Sequence, residues 1–377
     1  MRILTLIYEF PPIGGGGGMA AYDICKGLVE RGHQITVLTA HMHGLPFEEY
    51  RGGIHLVRIS SFRRKTFGAG FFTMLAYIFS GLWAGIRLIR LERPDIIHTH
   101  FAVPSGALAW VLSTLTGVPY LLTAHLGDVP GGVPEKTGKW FRWIEPFTHP
   151  IWNHAQKVVA VSEHTRQLAL KHYHVNIQVI HNGADVSRMS SSKIKVNIPP
   201  RLAFAGRFVA QKNPFTIIQT LAQMKDLAWH CSLLGDGPLF EDVKREILKE
   251  GMSERFDLPG WVTPEVVLEC FSKSDILFMP SLSEGLPVVG VQALAAGLAI
   301  VASNIGGFLD LVDNGENGYL IDVQDLPGFS RVLREVISGS ELLLRFREAS
   351  VEKSHEFDIQ KIVDQYQSVL RDIVNKH

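Results

Sequence analysis

The chain has 377 residues, enough for two domains of ordinary size, and 46% hydrophobic with 20% charged residues excludes a disordered protein. Lys+Arg 37 against Asp+Glu 37 leaves no net charge, which excludes a nucleic-acid binder held by bulk charge. The three cysteines, Cys25, Cys231 and Cys270, form no CxxC pair and point to a reducing compartment without a disulfide framework.

In chain order, Met1-Arg2 leads straight into the apolar run 3–8. That run is too short for a signal h-region and reads as a buried strand. Further strand-like runs fall at 34–40, 54–60, 95–100, 119–124 and 157–162. Helical patterns fill most gaps, among them 19–31, closed by Gly32, and 103–115. The stretch 66–86 carries no charge and is flanked by Arg63, Arg64 and Lys65 before it and Arg87, Arg90 and Arg93 after it. Its length would permit a membrane span. Its glycines, its Thr and Ser, and its place between strand-like runs predict a buried or membrane-surface helix instead. Gly81 and Gly85 match the GxxxG spacing.

Residues 186–200 are Ser-rich, end in Pro-Pro and read as a linker. The alternation then restarts, with strands at 201–206, 229–234, 276–280, 299–303 and 318–321 and helices at 213–225, 239–250, 264–273, 288–296 and 325–338. The tail 340–377 reads as helical throughout, with Ile359, Ile362, Val363, Tyr366, Val369, Leu370 and Ile373 on one stripe. The fold class is therefore α/β: two Rossmann-like, doubly wound domains facing across a cleft. We place them at 1–190 and 191–357, followed by a helix at 358–377. Charge divides the same way: up to residue 190 there are 18 Lys/Arg and 12 Asp/Glu, against 19 and 25 afterwards. The first half is expected to face something anionic.

Ligands of such sheets bind beyond the carboxyl ends of the strands. Four segments lie there. Gly14 to Gly18 follow the first strand and open a helix, where bare backbone amides favour a phosphate or substrate. No Gly-Lys-Ser/Thr follows, so this is not a Walker loop. His125 ends the fifth predicted strand and is expected to be functional, ahead of His98 and His100 on the fourth. Arg207 and Lys212 bracket a helix start at Pro214, capped by Asn213, and two cations there suit a diphosphate. Glu284 precedes the segment Gly285, Leu286, Pro287 and Val288, which opens another helix with a backbone N–H at every residue but the proline; Glu284 is placed to accept hydroxyl hydrogen bonds, with Gln292 two turns further on. No Asp-x-Asp, no Gly-x-Ser-x-Gly and no metal-spaced Cys/His cluster occurs, so no metal and no cofactor are expected.

The motifs PPIGGGGG, GLVERGHQITVLTA, LLTAHLGD, VIHNGAD, AGRFVAQKN, LLGDGP and PSLSEGLPVVGVQALAAGLAIVAS, in this order, resemble the retaining nucleotide-sugar glycosyltransferases of the two-Rossmann (GT-B) type, specifically family 4. The resemblance implies that Gly15 and Gly16 contact the diphosphate and acceptor side. It implies that His125 lies near the transferred sugar, that Arg207 and Lys212 neutralise the donor diphosphate, and that Glu284 holds sugar hydroxyls. It also implies that Gly285, Leu286, Pro287 and Val288 surround phosphate and sugar, and that the last helix crosses back to the first domain. The second Glu of the family's Glu-x7-Glu signature is Gln292 here, and Asp310 stands where Glu is usual. In the family that carboxylate grips the ribose, so weaker or altered nucleotide binding is expected.

The expected activity is a retaining, metal-independent sugar transfer from a nucleotide-diphosphate sugar to a hydroxyl acceptor, a glycan or lipid-linked glycan in cell-surface polysaccharide or glycolipid synthesis. The expected partners are that donor, that acceptor and an anionic membrane surface, with no nucleic acid. The expected place is the cytoplasm, peripheral on the inner face of the cytoplasmic membrane. Two other readings stay open at this point: a catalytically silent sugar-nucleotide-binding subunit, and a sugar-nucleotide epimerase on the same fold.

Overall fold

A computed structural model describes residues 1–64, 70–133, 141–189 and 194–377. The chain divides into two compact units, 1–183 with 359–377, and 184–358.

The first unit is built on an eight-stranded sheet of β1 (Arg2–Leu6), β2 (Gln34–Met42), β3 (Glu48–Arg51), β4 (Ile54–Arg63), β5 (Ile96–His100), β6 (Tyr120–Ala124), β7 (Lys157–Ala160) and β8 (Ile177–Val179), in the order β3-β4-β2-β1-β5-β6-β7-β8. All neighbours are parallel except β3, which pairs antiparallel with β4. The helices are α1 (Gly16–Glu30), α2 (Phe71–Glu92), α3 (Ala107–Thr116), α4 (Phe141–Asn153) and α5 (Glu163–Leu170).

Alternation along β1 explains the two layers of helix. Leu4 and Leu6 enter one core with Tyr77 of α2 and Leu108 and Leu112 of α3. Ile3 and Ile7 enter the other with Ile24 and Leu28 of α1. That second core also takes Ile362, Val363, Tyr366, Val369 and Leu370 of the last helix, so the predicted stripe is buried residue by residue. The side of Gly27 in α1 that lacks a Cβ is filled by Val363, and Arg31 donates from Nε to Asp364 Oδ1 at 2.9 Å.

The second unit has a six-stranded, all-parallel sheet of β9 (Arg201–Ala205), β10 (His230–Leu234), β11 (Phe256–Gly260), β12 (Ile276–Met279), β13 (Ala299–Ser303) and β14 (Gly318–Ile321), ordered β11-β10-β9-β12-β13-β14. Its helices are α6 (Val186–Met189), α7 (Pro214–Ala222), α8 (Phe240–Lys249), α9 (Pro264–Ser272), α10 (Val288–Ala295), α11 (Phe308–Leu311), α12 (Leu326–Ser338) and α13 (Ser340–Ser354); the last helix, α14, is Ile359–Val374 in the first unit. Arg347 of α13 is buried, donating to Gly297 O at 2.7 Å and pairing with the buried Asp275.

Several expectations need correction. The units part at Gly183 and Ala184, not at 190. The reason is local: Asp185 Oδ1 accepts from Arg188 N at 3.1 Å and starts α6, whose Val186 is buried. Four residues of the expected linker, 190–193, lie outside the described residues. The tail is two helices rather than one, broken at 355–358, where Ala184 N donates to Phe357 O at 3.0 Å. Strands β3, β8 and β11 differ from expectation, which placed no strand there. All three are sheet edges, and their sequences, Glu-Glu-Tyr-Arg, Ile-Gln-Val and Phe-Asp-Leu-Pro-Gly, lack the long apolar run of an inner strand.

Of the apolar stretch, 66–69 lie outside the described residues and the rest begins α2. Tyr77 donates to Leu38 O at 3.1 Å. A Cβ on Gly81 would stand 2.5 Å from Leu108 Cδ2, and one on Gly85 2.6 Å from Leu112 Cδ1. The GxxxG pair thus serves a close α2–α3 crossing within this unit.

Candidate active site

In the first unit the glycine run begins with Gly14 at φ +92°, a left-handed residue that suits glycine. The helix starts at Gly16, three residues before the predicted Met19, with Gly15 as its N-cap. Glycine's weak helix propensity hid this start, but the first turn tolerates it. No side chain caps α1, so its first amides keep the anion-binding character of a helix start. A side chain at Gly15 would meet open space.

Gly17 lies in the glycine run but outside the pair, Gly15 and Gly16, to which the resemblance gives a role. A Cβ there would lie 2.6 Å from Phe101 Cζ and 3.4 Å from His125 Cε1. It is the fourth glycine of the run Gly14–Gly18, but nothing in the spacing says that it abuts His125. Gly17→Ala should therefore push Phe101 and His125 aside. We expect a loss of about 1–3 kcal/mol in stability from overpacking. A fall in kcat/KM of about ten-fold should accompany it if His125 is displaced. Thermal unfolding and initial rates measured together check this, and an unchanged rate counts against a role for the Gly17–His125 contact.

His125 follows β6 and heads a short 3-10 turn, Leu126–Asp128. Its amide donates to Asp128 Oδ2 at 2.8 Å, and its ring stacks on Phe101 at 4.2 Å between centroids. Its Nε2 has no hydrogen-bond partner among the described residues. Burial pushes its pKa down to about 4, so the imidazole is neutral at pH 7. Burial pushes Asp128 the other way, up to about 7, against the lowering pull of the His125, Ala102 and Val103 amides.

His98 and His100 extend this site inward. They share one face of β5, with rings 4.3 Å apart, and His100 stands 5.8 Å from His125. His98 Nε2 lies 2.9 Å from Thr123 Oγ1, and Thr123 donates onward to Tyr366 of α14 at 3.4 Å. Burial lowers His98 to about 3 and His100 well below its ordinary value. Three neutral imidazoles thus run in a row from the last helix to the end of β6.

In the second unit β9 and β12 are sheet neighbours, which brings their following loops together. Lys212 Nζ donates to Glu284 Oε1 at 2.5 Å, with side chains only 14% and 8% exposed. Leu282 N donates to Gln211 O, and Gln211 Nε2 to Ser283 O, each at 2.8 Å. Arg207, on the same loop as Lys212, is half-buried. A third loop presses from β13: Gly307 N donates to Glu284 O at 3.1 Å, and a Cβ on Gly306 or Gly307 would collide with the Glu284 and Gly285 carbonyls.

The helix starts differ in detail from expectation. Pro214 does open α7, but Asn213 sits at φ +51° and its side chain caps nothing. A left-handed backbone aims the chain out of the preceding 3-10 turn, Ala210–Lys212, and removes the usual capping geometry. Gly285, Leu286 and Pro287 lead into α10, which starts at Val288 without a side-chain cap. Gln292 is half-buried and one turn into that helix rather than two. Leu286, Pro287 and Val288 are buried, so this segment offers backbone rather than side chains.

Chemically, the second unit offers a buried ammonium–carboxylate pair, a guanidinium on the same loop and two uncapped helix starts. Such a set can hold a phosphorylated, hydroxyl-rich ligand. Among the described residues no three His, Cys, Asp or Glu side chains gather as metal ligands.

Two family models match the chain in succession: Glycosyltransferase Family 4 over residues 14–188 and Glycosyl transferases group 1 over residues 188–353. An Escherichia coli UDP-Gal:alpha-D-GlcNAc-diphosphoundecaprenol alpha-1,3-galactosyltransferase is 26% identical, covering 77% of this chain and 79% of that one. Among solved structures, sucrose-phosphate synthase from Thermosynechococcus elongatus superposes with a TM-score of 0.87 at 17% identity, covering 100% of each chain. Anabaena HepE, solved in complex with UDP and glucose, superposes at 0.78 with 18% identity, covering 99% of this chain and 100% of that one. The superpositions show the GT-B type of fold, two Rossmann-like domains. With both halves matched in order, the chain belongs to the two-domain glycosyltransferases and is an enzyme of sugar transfer.

Proposed function

We propose that the enzyme transfers a sugar from a nucleotide-diphosphate sugar to a hydroxyl acceptor, with retention at the sugar carbon and without a metal ion. The observation that carries this reading is the Lys212–Glu284 pair on adjoining loops beside uncapped helix starts. Lys212 and Arg207 hold the diphosphate and stabilise its charge as the bond from sugar C1 to phosphate oxygen breaks. The acceptor oxygen bonds to C1 on the same face. Its proton passes to the departing phosphate oxygen, as the family resemblance implies, so no side-chain base is needed. Glu284 accepts from sugar hydroxyls, and neutral His125 offers its ring nitrogen to the transferred sugar. The amides of Gly285, Leu286 and Val288 and of the Gly15–Gly17 turn complete the contacts to phosphate and acceptor.

The acceptor is a glycan or lipid-linked glycan of cell-surface polysaccharide or glycolipid synthesis. Support comes from the E. coli relative, whose name specifies a diphosphoundecaprenol-linked sugar as acceptor. The enzyme then works in the cytoplasm, peripherally at the membrane that anchors such an acceptor. That HepE was solved with UDP supports a nucleoside diphosphate as the donor's leaving group.

A thermal-shift screen of UDP-, GDP-, ADP- and CDP-sugars tests the reading. A donor at 100 times its Kd should stabilise the fold by about 2.7 kcal/mol. Gln292→Glu restores charge assistance to the ribose hydrogen bond. It should tighten nucleotide binding about five-fold, equivalent to about 1 kcal/mol. If no nucleotide sugar shifts the melt, the donor reading fails; if Gln292→Glu leaves affinity unchanged, the ribose assignment fails.

A further inference from the structure

Helix α2 has two unlike faces. Tyr77, Gly81, Gly85, Leu88 and Ile89 are buried on one side, against β4 and α3. The opposite side, at spacings of three, four and seven residues, presents Phe72, Phe79, Trp83, Arg87 and Arg90. Phe72 is 83% exposed, Phe79 69% and Trp83 82%. Large aromatics so exposed in one line are not the scattered apolar residues of an ordinary surface. The line is apolar over its first turns and basic over its last.

The helix is 22 residues long and apolar enough to cross a membrane, yet its buried face is part of the first unit's core. Spanning a bilayer would pull Tyr77, Leu88 and Ile89 out of that core. Lying along a bilayer surface needs no unfolding: aromatic rings reach the acyl boundary while guanidinium groups meet phosphate head groups. Arg64, before the helix, is also exposed. The excess of 18 Lys/Arg over 12 Asp/Glu up to residue 190 gives the same preference for an anionic partner.

We propose that this face of α2 is a docking surface for an anionic lipid bilayer, with Phe72, Phe79 and Trp83 inserting and Arg87 and Arg90 pairing with lipid phosphates. It deepens the peripheral-membrane reading of the function and is independent of the transfer chemistry.

The test is co-sedimentation of the full chain, without donor or acceptor, with phosphatidylglycerol vesicles and with phosphatidylcholine vesicles. Wild type should sediment with phosphatidylglycerol and much less with phosphatidylcholine. Phe79→Ser/Trp83→Ser should weaken binding to phosphatidylglycerol at least about ten-fold. Arg87→Gln/Arg90→Gln should remove most of the preference for phosphatidylglycerol, also about ten-fold. Melting temperatures establish that the variants fold, and if the aromatic pair does not fold the arginine pair carries the test. Failure of wild type to sediment overturns the proposal, as does undiminished binding by folded variants. A wild-type dimer that Phe79→Ser/Trp83→Ser dissociates also overturns it, because the face then belongs to a second copy. Since no sugar nucleotide is present, such a failure leaves the donor reading standing, and a failed donor screen leaves docking standing.

Discussion

Lys212→Ala should reduce nucleoside-diphosphate release about 1,000-fold while leaving the second unit folded. Lys212 Nζ is 2.5 Å from Glu284 Oε1, and both side chains are nearly buried. In the proposed reaction this ammonium faces the leaving diphosphate, whose charge grows as the sugar bond breaks, so its loss is felt in kcat more than in KM. Removing it also strands the Glu284 carboxylate in a dry site, which destabilises the fold by about 3 kcal/mol. These two effects separate in experiment. A purely structural role would lower the melting temperature and leave kcat per folded molecule intact. A catalytic role lowers kcat at temperatures far below the melt.

Acidification from pH 7 to pH 5 should destabilise the first unit through its row of buried imidazoles. Burial holds His98 near 3, His100 well below its ordinary value and His125 near 4. Between about pH 4 and 6.5 the unfolded chain therefore binds up to three protons at these positions that the folded chain refuses. Stability from these groups is present above about 6.5 and is lost as pH falls. Asp128 acts oppositely, because burial raises it to about 7 and the folded form takes a proton that the unfolded form releases. Three groups outweigh one, leaving a net of about two protons, or about 3 kcal/mol per pH unit near pH 5. Denaturant titrations at pH 7, 6 and 5 measure this slope. A flat profile would mean that the imidazoles are hydrated or paired in solution.

The sequence made the repeated strand–helix alternation legible because inner parallel strands are apolar on both faces. It also made the α14 stripe legible, since a 3.6-residue period survives without knowledge of the partner. The loops that carry Arg207, Lys212, Glu284 and His125 were found by one rule, that ligands gather beyond strand ends. What stayed hidden depends on tertiary neighbours. Lys212 and Glu284 are 72 residues apart, and only the adjacency of β9 and β12 makes them partners. Gly17 earns its role from Phe101 and His125, far along the chain. His98 and His100 looked like ordinary strand residues until the Thr123–Tyr366 contact closed over them. Edge strands β3, β8 and β11 escaped because one open side removes the need for a long apolar run.

The most direct measurement is a crystal structure of the enzyme with its nucleoside diphosphate bound. The account predicts phosphate oxygens within hydrogen-bond reach of the Lys212 ammonium and the Arg207 guanidinium, at the start of α10. A diphosphate seated anywhere else, with Lys212 still bound only to Glu284, would contradict it.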